Sequence, residues 1–175
     1  SNFIKNGING TPIIPGDKSI SHRSVIIPSI SNGICEVVNI LKSDDVLHTI
    51  NALKAMGVRI IDENQKLTIY GNGLKSLKEP KKDLYFGNSG TSARLLAGLL
   101  SSQNFRSVLT GDSSLSKRPM KRISDPLSNM NAKIETTNGS LPLIIRASKL
   151  NPCEINLQIP SAQIKSGLLL ASLNI

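Results

Sequence analysis

Apolar residues recur at helical spacing in five stretches of the chain and alternate with polar ones between them. The clearest helix is SDDVLHTINALKAMG, residues 43–57. Ser43 suits the N-cap, Asp44 and Asp45 fall in the first turn, Val46, Ile50 and Leu53 share one face, and Gly57 reads as the stop. SISHRSVIIPSIS (19–31), SGTSARLLAGLLSS (89–102), PMKRISDPLSNMN (119–131) and SAQIKSGLLLASLN (161–174) read as the other helices. Pro28 should kink or end the first of these, and Pro119 should stand near position N1 of the fourth helix, whose Met120, Ile123, Leu127 and Met130 share a face. Strands are predicted at TPIIP (11–15), GICEVVNI (33–40), DLYFG (83–87), FRSVLTG (105–111) and CEINLQIP (153–160). Hairpins are predicted at VRIIDEN/KLTIYGN (58–72) and at AKIETT/LPLIIRAS (132–148), the latter closing on Asn138-Gly139, a strong two-residue turn.

The elements recur in one order. A βαβαββ unit of about 65 residues fits the chain roughly two and a half times. The units run from about 14 to 76, 82 to 148, and 152 to 175, where the third stops after a strand and a helix; residues 1–13 form a lead-in. The expected fold class is therefore α/β (α+β), built from repeated βαβαββ units with mixed sheets and buried helices. A third unit broken off at this point reads as a truncation, and should leave a helix face or sheet edge poorly covered.

Composition changes this picture little, but charge does. A chain of 175 residues, 39% hydrophobic and 19% charged, is ordinary for a globular protein. At that size roughly 70% of the unfolded surface can be buried without metal or disulfide. No apolar run reaches the ~18 residues of a membrane span, and SNFIKNGING lacks the layout of a signal peptide. Ser1-Asn2 is compatible with a cloning remnant and carries no weight. Cys35 and Cys153 read as buried thiols in a cytoplasmic protein. The net charge of +9 calls for an anionic partner. With five aromatic residues and no Trp, base stacking is poorly served, and no helix-turn-helix or zinc pattern is present. Tyr85 and Phe86 should face opposite sides of a strand. The basic runs KEPKKD and SKRPMKR lie around turns and read as solvated charge. GDSSLSKR lacks the glycine spacing of a P-loop. No membrane or nucleic-acid partner is expected; small phosphorylated ligands fit best.

One arrangement spans the units. Ser19, Gly90 and Ser161 open helices, and a cation follows each by four residues: Arg23, Arg94 and Lys165. Free N–H groups and the helix dipole favour an anion at such ends, by about 0.3–1 kcal/mol when exposed. Ordinary capping explains the same small residues, and Arg94 and Lys165 also fit as solvated charges. Unaided, pattern and spacing reach as far as a phosphate binder built from repeats.

The motifs themselves go further. PGDKSISHR, SDDVLHTINALKAMG, GNSGTSARLLAGLL, SLSKRPM and PSAQIKSGLLLA, in that order and spacing, resemble the first part of the 5-enolpyruvylshikimate-3-phosphate synthase family, from Pro12 onward. The resemblance implies two similar domains that close on their ligands, the second absent here. It implies transfer of the enolpyruvyl group of phosphoenolpyruvate to shikimate 3-phosphate, with release of phosphate and with neither metal nor other cofactor. By resemblance, Lys18, Ser19, Arg23, Ser161, Ala162 and Gln163 would hold shikimate 3-phosphate. Lys18, Asn88, Gly90, Thr91, Arg118 and Gln163 would face phosphoenolpyruvate. The family's proton-handling carboxylates belong to the second domain, so this chain alone should not turn over, and the intact protein should be a monomer.

Three departures stand out: the short chain, Pro28 where alanine-like residues are usual, and Ala162 where many members have serine. Three rival readings share some of these features. A UDP-N-acetylglucosamine enolpyruvyl transferase would carry a cysteine in the loop matching GDSSLSKRP, which has none here. A non-catalytic phosphate-binding fragment would keep the cradle without the chemistry. A basic nucleic-acid binder rests on the two basic runs alone.

Overall fold

In the computed structural model, which describes residues 10–63 and 66–175, α1 (Lys18–Ile30) begins under the cap of Asp17. The Ile20 N–H donates to Asp17 Oδ1 over 2.7 Å. Pro28, which has no N–H to give the i→i−4 ladder, sits in the last turn, and the helix ends two residues later. Helix α2 (Asp44–Ala55) buries Val46, Ile50 and Leu53 as its spacing predicts. Ser43 holds its N-cap position, but the hydroxyl makes no capping bond and is buried without a partner among the described residues. Gly57, at φ +89, turns the chain out of the helix.

Strands β1 (Asn32–Val38), β2 (Arg59–Glu63) and β3 (Lys66–Asn72) form an antiparallel sheet in the order β1-β3-β2. The middle strand buries Leu67, Ile69 and Gly71 on one face, the period of two that packs it under α1. Residues 64 and 65, between β2 and β3, and the lead-in up to residue 9 lie outside the described residues.

After an opening strand that the first unit lacks, the second unit follows the same order. Strand β4 (Leu84–Tyr85) precedes α3 (Gly90–Ser101), β5 (Ser107–Thr110), a 3-10 turn at Leu115–Lys117, α4 (Lys121–Asn129), β6 (Lys133–Thr137) and β7 (Ser140–Arg146). The sheet order is β4-β5-β7-β6, parallel only between β4 and β5. Tyr85 is exposed and Phe86 fully buried, as alternation predicts. Asn138 and Gly139, both at positive φ, make the expected turn between β6 and β7. Helix α5 (Ala162–Ser172) lies against α3, which is buried along almost its whole length. The architecture is α/β, with two sheets packed on a layer of helices.

Four expectations fail. TPIIP is not a strand: Pro12 and Pro15 offer no N–H to a ladder, and Ile13 and Ile14 are exposed at 97% and 73%. CEINLQIP forms no strand and bends at Gln158 and Ile159. In the second unit β4 pairs with β5, the strand that follows α3; among the described residues no strand follows α5. The cysteines are not both buried, because Cys35 lies half-exposed on β1 and Cys153 is exposed on the unpaired segment. Pro119 is two residues short of the first helical residue of α4, Lys121.

Candidate functional site

Lys18, the first residue of α1, reaches the first turn of α2, where its Nζ pairs with Asp45 Oδ2 at 2.8 Å. Ser19 is exposed beside it. Arg23, one turn further, is half-buried and has no carboxylate within ion-pair distance among the described residues. It borders an apolar groove of about 520 Å³ between α1 and α5, lined by Ile26, Ile27, Ile30, Leu169 and Leu173. Asp17 already occupies the helix end, so an anion at this corner would be held by the side chains of Lys18, Ser19 and Arg23 more than by the α1 dipole.

The α3 and α5 ends form the other corner. Ser89 caps α3 and Ser161 caps α5, each accepting from the N–H three residues on. Arg94 Nη1 donates to Gly90 O at 3.3 Å and to Gln163 Oε1 at 3.0 Å, while its Nη2 donates to Pro119 O at 3.3 Å. Gln163 uses its other end, Nε2, to donate to Thr91 Oγ1 at 2.9 Å. Arg118 Nη2 donates to Asn88 Oδ1. Gly90 is what lets the guanidinium groups in: a Cβ there would stand 2.6 Å from Arg94 Nη1 and 3.3 Å from Arg118 Nη1. Ala162 is exposed and offers no hydroxyl, and Lys165 is exposed.

A buried hydroxyl joins the corners. Ser92 Oγ, in the first turn of α3, donates to Asp45 O in the first turn of α2 at 3.0 Å. The starts of α1, α2, α3 and α5 are thus linked, through Lys18–Asp45, Asp45–Ser92 and Thr91–Gln163, at one end of the molecule. α4 begins just beyond Pro119, the acceptor of Arg94.

This end is short of negative charge. Arg94, Arg118 and Arg122 have no ion-pair partner among the described residues. Burial, then Arg118 and Arg122, hold the Arg94 guanidinium below its ordinary pKa. Such a group gains from any anion that enters. Among the described residues, no cluster of three or more His, Cys, Asp or Glu side chains could hold a metal ion, and no helix is long and apolar enough to cross a membrane.

Behind the corner lies His22, fully buried, whose Nδ1 meets Thr49 Oγ1 at 2.9 Å. Burial pushes its pKa from 6.5 down to about 4; Asp45 opposes that shift, and Lys18 and Arg23 add to it. Between those two values the unfolded chain binds a proton that the folded chain refuses. Stability therefore falls as pH falls through the window, by about 2–3 kcal/mol after allowance for solvent screening. Urea unfolding between pH 7 and pH 4 should show this loss, and His22→Asn should remove that part of the slope. An unchanged slope in the variant would exclude His22 as its source.

All ten residues expected at the site lie at this end, on the starts of α1, α3 and α5 or in the loops beside them. Arg94 joins Gly90 to Gln163, Gln163 in turn reaches Thr91, and Asn88 is joined to Arg118. No contact links Arg23 to Ser161 or Ala162 among the described residues. The sequence places Arg94 in the helix-start pattern, with solvated charge as the alternative, but not among the residues expected to touch a ligand, and it does not single out Asp17 and Asp45 as partners of this end. For Arg94 the available signal was its place four residues after a helix-opening glycine. For Asp45 there was none beyond its first-turn position, since its partner is 27 residues away.

A family model described as EPSP synthase (3-phosphoshikimate 1-carboxyvinyltransferase) matches residues 4–175. Curated relatives named 3-phosphoshikimate 1-carboxyvinyltransferase include those of Caldicellulosiruptor bescii, 52% identical over 169 residues, and Ruthia magnifica, 48% identical over 169 residues. These matches take in 95% and 96% of this chain but 39% of each relative. The EPSP synthase structure from Acinetobacter baumannii superposes with a TM-score of 0.91 at 49% identity, over 94% of this chain and 38% of that one. The chain therefore spans about 39% of the length of the curated relatives it matches.

Proposed function

The chain belongs to the EPSP synthase family, and from that premise we propose that it forms the substrate-gripping part of an enolpyruvyl transferase. The reaction would join the 5-hydroxyl oxygen of shikimate 3-phosphate to the enolpyruvyl carbon of phosphoenolpyruvate and release inorganic phosphate. Residues 14–175 would make up an incomplete substrate-binding domain, with the lead-in 1–13 belonging to its partner domain. The setting would be cytoplasmic, and the intact enzyme a monomer without cofactor.

The observation that carries this reading is the Gln163 bridge. It ties the third unit to the second, so that one amide lies between Thr91 and Arg94 where two anions would meet. On the α1 side, Lys18, Ser19 and Arg23, with the cap turn at Ser161, Ala162 and Gln163, would hold shikimate 3-phosphate. Asn88, Gly90, Thr91 and Arg118 would hold phosphoenolpyruvate, with Lys18 and Gln163 reaching both. Arginine can grip phosphate or carboxylate through paired charge-assisted bonds, each worth about 1.5–3 kcal/mol. Asp45 is engaged by Lys18 and Asp17 caps α1, so neither is a free acid or base at this corner. Proton handling would fall to the remainder of the longer relatives, and this chain alone should bind without turnover.

Titration calorimetry with shikimate 3-phosphate, with shikimate and inorganic phosphate as controls, tests the reading. Selective binding of the phosphorylated ligand, weakened about tenfold or more in Arg23→Ala, is the expected result. Equal heats for all three ligands, or turnover at the rate of an intact enzyme, would overturn it.

A further inference from the structure

We propose that the buried chain His22–Thr49–Ser92 is a positioning element that locks the start of α1 against the start of α3, so that the two halves of the anion site keep a fixed spacing. The inference rests on the functional reading above for what the site holds, but its geometry stands apart from that reading.

The hydrogen bonds run one way. Ser92 Oγ gives its only hydrogen to Asp45 O at 3.0 Å. Thr49 Oγ1 gives its only hydrogen to Ser92 Oγ at 2.8 Å. Thr49 can then only accept from the imidazole, so His22 carries its proton on Nδ1 and leaves Nε2 bare. Nε2 is buried with no partner among the described residues, a cost of burial that only the bond at Nδ1 offsets. Ser89 Oγ lies 2.6 Å from Ser92 Oγ and must be the donor there, while it accepts the Ser92 N–H as the cap of α3.

The chain also closes on itself. It leaves α1 at His22, crosses α2 and α3, and reaches Asp45, whose carboxylate holds Lys18, back on α1 one turn before His22. His22, Thr49, Ser89 and Ser92 are all buried, away from the bulk solvent. The charged groups around His22 are Asp45 on α2 and Lys18 and Arg23 on α1. A lost link should therefore be felt at Lys18 and at the Ser89–Thr91 turn together, although Thr49 touches neither.

Three measurements on the 175-residue chain test this. Nitrogen-15 shifts of the imidazole at pH 7 should show a neutral ring protonated on Nδ1; a ring protonated on Nε2, or a charged one, overturns the proposal without any variant. Thr49→Val keeps the shape and removes the hydroxyl. It should speed amide exchange in the first turns of both α1 and α3 and weaken shikimate 3-phosphate binding about tenfold, and Thr49→Ser should restore both. Faster exchange confined to α2 would mark Thr49 as local packing only and would defeat the proposal even where stability falls. Should the parent chain not bind shikimate 3-phosphate, the functional reading fails on that arm, while the tautomer and the exchange pattern still decide this one.

Discussion

Gly98→Ala is expected to destabilise the protein by about 3 kcal/mol, although alanine is the better helix former by about 1 kcal/mol. The reason is the crossing of α3 and α5. A Cβ at Gly98 would lie 1.9 Å from the carbonyl oxygen of Gly167 and 2.5 Å from its carbonyl carbon. Both are backbone atoms, so no side chain can swing away and one helix must shift. Gly167 also meets α3 closely, its own Cβ direction ending 2.8 Å from Arg94 O. The two helices touch where each lacks a side chain, and that contact sets the height of Gln163 beside Thr91. Urea unfolding should therefore show a fall in midpoint, and binding of shikimate 3-phosphate should weaken in the fraction that remains folded. A midpoint equal to or above that of the parent would mean that the helices are not packed this closely.

Arg94→Lys is the second large effect expected, and it falls on the site more than on the fold. Arg94 spreads its guanidinium over three acceptors, Gly90 O, Gln163 Oε1 and Pro119 O. A lysine keeps the charge but presents one compact ammonium, which cannot span the same three atoms. Gln163 then loses one of its two anchors, and the loop before α4 loses its tie to α3. With shikimate 3-phosphate saturating, phosphoenolpyruvate should bind about 10–100-fold more weakly by calorimetry. Thermal unfolding should change much less, by about 1 kcal/mol, since the group is only half-buried. Unchanged affinity would show that the fork merely packs and that charge alone serves the site.

Much of the fold was legible along the chain, for identifiable reasons. The period of Val46, Ile50 and Leu53 placed α2, and the Asn138-Gly139 turn placed the hairpin of β6 and β7, because both signals are local. The openings of the first and third units were misread because an extended segment becomes a strand only where a neighbour pairs with it. Neither TPIIP, with its two prolines, nor CEINLQIP finds one. Cys35 and Cys153 were misplaced for a related reason: a thiol has no sequence period of its own, and its burial follows the strand or segment that carries it.

The candidate site divides in the same way. Sequence by itself determined the family, the repeated order of elements and the residue types at each helix start, because caps, cations and motif spacings are written within a few positions of one another. Tertiary structure alone decided that those starts meet, that Gly98 and Gly167 are the contact that brings them together, and that Arg94 is the centre of one corner. It also decided that Asp45 and the His22–Thr49–Ser92 chain stand behind the other corner. Those partners lie 27 to 72 residues apart, and hydrogen bonds depend on distance in space, which no local pattern encodes.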